Sequence, residues 1–210
     1  MIESSFPLLF AAVVGFGHAF EADHLVAVGN IVTRRDKLLL AIKDGIYWGL
    51  GHTSTILLIG ALLIIGKATF LNGYFGYFEA IVGVMLIILG LVRLRQLMPS
   101  QQRQHKHSLT DDRKNHHLAY GVGLIHGLAG SGAMVLLVMT EIQESTDSIL
   151  YLLIFGLGSA FGMLVAAGIF SLPFSRRLTE SQKLQIGLTL LSAFLCIGYG
   201  AYIMIENLAA

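Results

Sequence analysis

Charge is scarce in this chain: Asp, Glu, Lys and Arg make up 13% of the 210 residues, and there is one cysteine. An average soluble domain is about 25% charged and about 45–50% apolar. Counting glycine and leaving out tyrosine, this chain is roughly 63% apolar, so its solvent is expected to be lipid. A single cysteine excludes a disulfide framework, and Cys196, inside an apolar stretch, reads as a small buried hydrophobe. A net charge of +1, with no soluble basic domain, gives no basis for a nucleic-acid partner. No Walker-type phosphate loop occurs, so no ATP site is expected. The residues ahead of the first apolar run carry Glu3 and no Lys or Arg, which argues against a cleavable signal peptide and for a retained span.

Long apolar runs are what the chain has in plenty. A helix rising ~1.5 Å per residue needs about 20 residues to cross a ~30 Å hydrocarbon core. Six stretches meet that length: Phe6 to Ile31, Asp44 to Gly66, Tyr74 to Val92, Leu118 to Thr140, Ile149 to Leu172 and Ile186 to Ile205. The Lys and Arg residues fall in the five connections as 4, 1, 6, 0 and 3. That alternation places the basic loops 32–43, 93–117 and 173–185 in the cytoplasm and both termini outside a cell (inner) membrane.

The halves overlay at an offset of about 108 residues. Gly17-His18-Ala19 falls on Ile125-His126-Gly127, and Gly49-Leu50-Gly51-His52 on Gly156-Leu157-Gly158-Ser159. Three spans per half is an odd number, so the second half enters from the opposite side. The expected fold is an all-α integral membrane protein of six transmembrane helices in two inverted three-helix repeats, residues 1–97 and 118–210, around a His-rich cytoplasmic linker at 98–117. Glycines four apart, at Gly45 and Gly49, Gly123 and Gly127, and Gly158 and Gly162, read as close-packing positions. Gly15 and Gly17 precede the ionisable cluster and read as places where the first helix can break.

That cluster is His18-Ala19-Phe20-Glu21-Ala22-Asp23-His24. A carboxylate at mid-membrane costs ~2.5–3.5 kcal/mol on insertion scales, so Glu21 and Asp23 need something to offset them. Two histidines and two carboxylates within seven residues, with His52 in the next span, form a candidate metal site; a purely structural hydrogen-bond network is the competing reading. At 100° per residue, His18, Glu21 and His24 spread over about 120°, whereas Asp23 lies about 140° from His18. A straight helix therefore cannot aim His18, Asp23 and His24 at one ion. Either the first span is broken or Glu21 takes the place of Asp23. His126, the repeat mate of His18, is a further candidate ligand or a support for one. Asp44 reads as a boundary residue or a charge on the access path. His105, His107, His116 and His117 in the linker read as possible metal-handling groups. Imidazole and carboxylate donors suit first-row transition ions better than magnesium or calcium.

The run His18-x4-Asp23-His24 resembles the signature of the nickel/cobalt transporter family, Gly51-His52-Thr53-Ser54 resembles its second motif, and His126-Gly127-Leu128-Ala129-Gly130-Ser131 is similar to a segment of its short, six-helix, urease-accessory type. The likeness extends over nearly the whole chain. It implies transport of Ni²⁺ or Co²⁺ as substrate, with no resident cofactor, and His18, Asp23 and His24 as metal-recognition residues. Longer family members have eight spans with the motif in the second; here it is in the first of six. Three other readings stand beside uptake: efflux of the same ion, delivery of metal to nickel-enzyme (urease or hydrogenase) maturation proteins, and, remotely, an intramembrane serine protease built on Gly130-Ser131-Gly132. The last lacks a histidine after His126 to serve as base.

Overall fold

The computed structural model describes residues 2–32, 35, 37–65, 73–97, 116–129, 145–172 and 182–209. Among them are seven helices: α1 (Ile2–His18), α2 (Ala22–Val32), α3 (Leu38–Ile64), α4 (Phe75–Gln96), α5 (residues 116–129), α6 (Ser145–Ser171) and α7 (Gln182–Ala209). Helices α3, α4, α6 and α7 are long and apolar enough to cross a membrane, and α1 with α2, bent by 56° at the break between them, are together long and apolar enough for a fifth span. The predicted fourth span, Leu118 to Thr140, begins in α5 and runs beyond the described residues, as does Ser131.

The outward surface explains why these helices suit lipid. Leu50, Leu58, Ile88, Leu157, Phe161 and Phe194 are all at least half exposed, an arrangement that water would penalise and hydrocarbon would not. Inside, Val28, Trp48, Leu86, Met163 and Cys196 belong to one continuous core. Cys196 is fully buried, with Sγ 3.5 Å from the Val26 carbonyl oxygen, in keeping with a small apolar-pocket residue that ties α7 to α2.

Helix α3 lies along α6, α4 along α7, and α1 along α6. The closest approaches are made at glycines. A Cβ on Gly15 would overlap the carbonyl oxygen of Phe155, and one on Gly123 that of Trp48; a Cβ on Gly158 would overlap the Ala12 carbonyl, and one on Gly51 that of Tyr120. Each of these contacts is matched in the other half by residues about 108 positions away. Small residues permit such backbone proximity where no hydrophobic force acts between helices. Gly15 is thus a packing position inside α1 rather than the place where the helix gives way. Hydroxyls add specific ties: Thr53 Oγ1 donates to the Gly156 carbonyl at 2.9 Å and Thr55 Oγ1 to the Leu124 carbonyl at 3.0 Å.

The break itself is short. The Phe20 amide donates to the Gly17 carbonyl at 2.9 Å and the Glu21 amide to the His18 carbonyl at 3.1 Å, tightening the end of α1 into a turn. The Leu25 amide then donates to the Glu21 carbonyl at 2.9 Å, which starts α2. Asp23 occupies the first turn of α2, where the positive end of the helix dipole favours a carboxylate.

At the far end of α2, the turn into α3 is held by charge. Arg35 donates through Nε to Asp44 Oδ2 at 2.5 Å and through Nη2 to Asp44 Oδ1 at 2.8 Å. His116, at the start of α5, stands 2.6 Å from Asp44 Oδ1 through Nδ1, and its ring stacks on Tyr47 with centroids 5.1 Å apart. Asp44 is 2% exposed. It is a buried residue paired with Arg35 and His116. His116 belongs to this network and not to a free linker; His117 is exposed, and His105 and His107 lie outside the described residues.

Candidate metal centre

The break turns the histidines of the first span toward one point. His18 is the last residue of α1 and His24 the third of α2, and their ring centroids are 4.6 Å apart. His52, from the middle of α3, lies 5.2 Å from each of them, and His126, from α5, lies 4.7 Å from His24. All four are at most 7% exposed.

Two sets of donor atoms emerge. His18, His24 and His52 offer nitrogens within 4.8 Å of one another; Asp23, His24 and His126 do the same. Metal–imidazole bonds of ~2.0–2.1 Å put tetrahedral donors roughly 3.3 Å apart, so closing on an ion requires shifts of about an ångström. His24 is common to both sets. The two sets adjoin through that residue.

The carboxylates hold the imidazoles. Asp23 Oδ1 accepts from the His24 backbone amide at 2.8 Å and lies 2.9 Å from His24 Nδ1, while its Oδ2 is 3.7 Å from His126 Nε2. Glu21 Oε1 lies 2.9 Å from His18 Nδ1. A carboxylate on one ring nitrogen fixes the tautomer and leaves the other nitrogen for a metal. His24 Nε2, His18 Nε2 and both nitrogens of His52 are buried with no hydrogen-bond partner among the described residues. Glu21 itself is 60% exposed and joins neither set of donors. Of the two geometries the spacing left open, the structure has the broken helix.

Aromatic groups complete the walls. Trp48 is fully buried and stacks on His24 with centroids 5.6 Å apart; Phe155 lies 5.4 Å from His18. Neither was singled out from sequence. Trp48 could have been, because it precedes His52 by four residues and so shares its face of α3.

A cavity of about 410 Å³ opens beside Asp23 and is lined by residues of α4 and α7 as well as the break. The Arg35–Asp44–His116 network ties the residue after α2 to α3 and α5.

Against known proteins, the chain is 33% identical over 189 residues to the urease accessory protein UreH of Bacillus sp. (strain TB-90), covering 85% of this chain and 81% of that protein. It is also 30% identical over 115 residues to the nickel transporter NixA of Staphylococcus aureus, covering 46% of this chain and 33% of that longer protein. No protein-family model matches the chain, and no solved structure matches it significantly. The similarity to UreH over four-fifths of both proteins, with the weaker similarity to NixA, makes this chain a multi-pass membrane protein of the nickel/cobalt transporter family, of the UreH-like type.

Proposed function

We propose that the protein carries a divalent transition-metal ion, nickel or cobalt, inward across the cell membrane by alternating access. One observation carries the reading: four buried imidazoles meet at a helix break, and nitrogens of His18, His24 and His52 in this cluster have no hydrogen-bond partner among the described residues. An unmade hydrogen bond at a buried polar group costs ~1–3 kcal/mol, so such a cluster persists where a ligand supplies the missing bonds. In this reading the ion exchanges hydration water for His18, His24 and His52, then passes by way of His24 to Asp23 and His126.

The matched glycine contacts in the two halves support an inverted repeat, with domains at 1–97 and 118–210 and the site between them. The basic-loop pattern supports termini outside. With that orientation the cavity beside Asp23 faces outward and the Arg35–Asp44–His116 network closes the cytoplasmic side. An inside-negative potential of 100 mV contributes ~4.6 kcal/mol to moving a dication inward, enough for ~10³-fold accumulation without ATP.

Nickel and cobalt flux into liposomes under an imposed potential tests this. Wild-type protein should accumulate the ion and His24→Ala should lose at least ~100-fold of that activity, since even groups that only support metal ligands are worth ~10–100-fold. Unchanged flux in His24→Ala would sink the reading, and flux only under the reversed gradient would make the protein an exporter. A second reading, delivery of nickel to urease-type maturation proteins, is favoured by the accessory role in the name of the UreH relative. Deleting residues 101–113, which spares His116, separates the two: a transporter keeps its flux, and a delivery partner loses its effect on enzyme maturation.

A further inference from the structure

We infer that Ser159 completes the centre: its hydroxyl faces the His18–His24–His52 set and holds the water that stays on the ion where those three imidazoles leave a position open. The inference rests on the metal-carrying reading above and adds a residue of α6, a helix that supplies neither set of donors. A serine in an apolar helix has an easy local partner, the carbonyl about one turn back. Ser54 donates to the Leu50 carbonyl at 2.7 Å, and Ser171 to that of Gly168 at 2.8 Å. Ser159 does not do so. It is fully buried, and its Oγ has no hydrogen-bond partner among the described residues, the Phe155 carbonyl included. A buried hydroxyl left unbonded costs ~1–3 kcal/mol, which alanine at this position would avoid.

The register of α6 fixes where that hydroxyl points. On one side of it the Phe155 ring lies 5.4 Å from that of His18, and Gly162 packs against Ala19. On the other side the Gly156 carbonyl accepts from Thr53, and Ala160 packs against Gly49. At 100° per residue Ser159 lies about 40–60° from the first pair and about 60–100° from the second, so it points into the seam between the break and α3. Its height agrees too. Phe155 and Gly162, about a turn to either side, meet His18 and the residue after it; Gly156 and Ala160 meet the residues that bracket His52. His18 and His52 stand in that seam with ring centroids 5.2 Å apart. Ser159 is also what the second half carries where the first half has His52.

The chemistry suits that place. Three protein ligands leave a transition ion at least one position that water fills. Water bound to a cation is a strong donor, and a serine oxygen has two lone pairs to accept from it. The hydroxyl adds no charge of its own. It therefore steadies the hydrated face of the ion without adding a charged ligand that would oppose release.

Cobalt(II), added to the full chain in detergent, is the probe, because its visible bands report coordination and a bound thiolate adds a charge-transfer band in the near ultraviolet. Ser159→Cys puts sulfur where the hydroxyl stands. It should displace the water as a thiolate and give that band, which wild type, whose own Cys196 Sγ bonds the Val26 carbonyl, should lack. Ser159→Ala should bind cobalt about tenfold more weakly, the loss expected when a group supporting the metal is removed. Without metal it should melt no lower than wild type, which separates a lost contact to the ion from a folding defect. A serine that only packs would give an alanine variant with unchanged affinity and unchanged visible bands. That result, or a cysteine variant that saturates with cobalt and shows no charge-transfer band, overturns the inference. If His24→Ala abolishes flux while Ser159→Ala keeps the wild-type cobalt spectrum and affinity, transport stands and Ser159 alone is removed from the centre. Wild type that binds no cobalt defeats the metal centre itself.

Discussion

His52→Leu should make the metal-free protein more stable and the metal-loaded protein less so. His52 is fully buried, and neither of its ring nitrogens has a hydrogen-bond partner among the described residues. Each unmade bond costs ~1–3 kcal/mol in a soluble interior, and less where the unfolded reference is also in lipid. Leucine has similar volume and no polar atoms, so after imperfect repacking the net gain should be about 1–3 kcal/mol. At ~2–4 °C per kcal/mol for a chain of this size, that raises the melting temperature by several degrees. Nickel reverses the order. At one hundred times its dissociation constant a ligand stabilises by ~2.7 kcal/mol. If the substitution weakens binding ~100-fold, the same nickel concentration contributes only ~0.4 kcal/mol. Melting curves of detergent-purified protein with and without nickel should therefore cross between wild type and variant. A His52→Leu protein that is less stable than wild type without metal, or that nickel shifts as much as wild type, would refute the claim that this imidazole is kept for a ligand.

Three other outcomes follow from the packing and charge. Gly15→Ala and Gly123→Ala each place a Cβ onto a carbonyl oxygen of the facing helix and should destabilise by about 1–3 kcal/mol, seen as lower melting temperature; Gly17→Ala and Gly121→Ala, with nothing within 4 Å, should be neutral or gain up to about 1 kcal/mol from helix propensity. Asp44→Asn removes the carboxylate that Arg35 and His116 share and should cost about 3–5 kcal/mol, measured by the same melts. Asp23→Asn should weaken cobalt binding to the purified protein at least tenfold, and Glu21→Gln by much less, because only Asp23 belongs to a donor set; equal losses would return Glu21 to the centre.

Helical geometry made the broken first span legible, because 100° per residue cannot bring His18, Asp23 and His24 to one side of a straight helix. The location of the break was less so. Glycine spacing pointed to Gly15 and Gly17, yet Gly15 is spent on contact with Phe155, and the turn falls on Ala19, Phe20 and Glu21. His52 and His126 were reachable as candidates because they are ionisable groups in apolar runs, a combination that lipid makes expensive. The grouping of donors into two sets around His24 was not, since it depends on how α3 and α5 approach the break. The same limit hid Asp44's partners: Arg35 lies nine residues away across a turn and His116 lies 72 away on another helix. Glu79 and Glu206 meet only because α4 runs along α7.

Among the described residues two buried polar clusters contrast with one another, around Asp44 and around His24. Around Asp44 both carboxylate oxygens are taken, one by Arg35 and the other by Arg35 and His116, so that network closes on itself and holds three segments together. Around His24, on four imidazoles that converge from four helices, carboxylates hold one nitrogen each of His18 and His24, and the remaining ring nitrogens have no hydrogen-bond partner among the described residues. Structural selection alone would fill that space with leucine or close the network with hydroxyls, as Thr53 and Thr55 do a turn or less away. A site at which helix continuity, polar satisfaction and burial are all sacrificed together fits the proposed function, in which the missing partner arrives from outside the protein. The partner that accepts several neutral nitrogens and a carboxylate at once is a transition-metal cation.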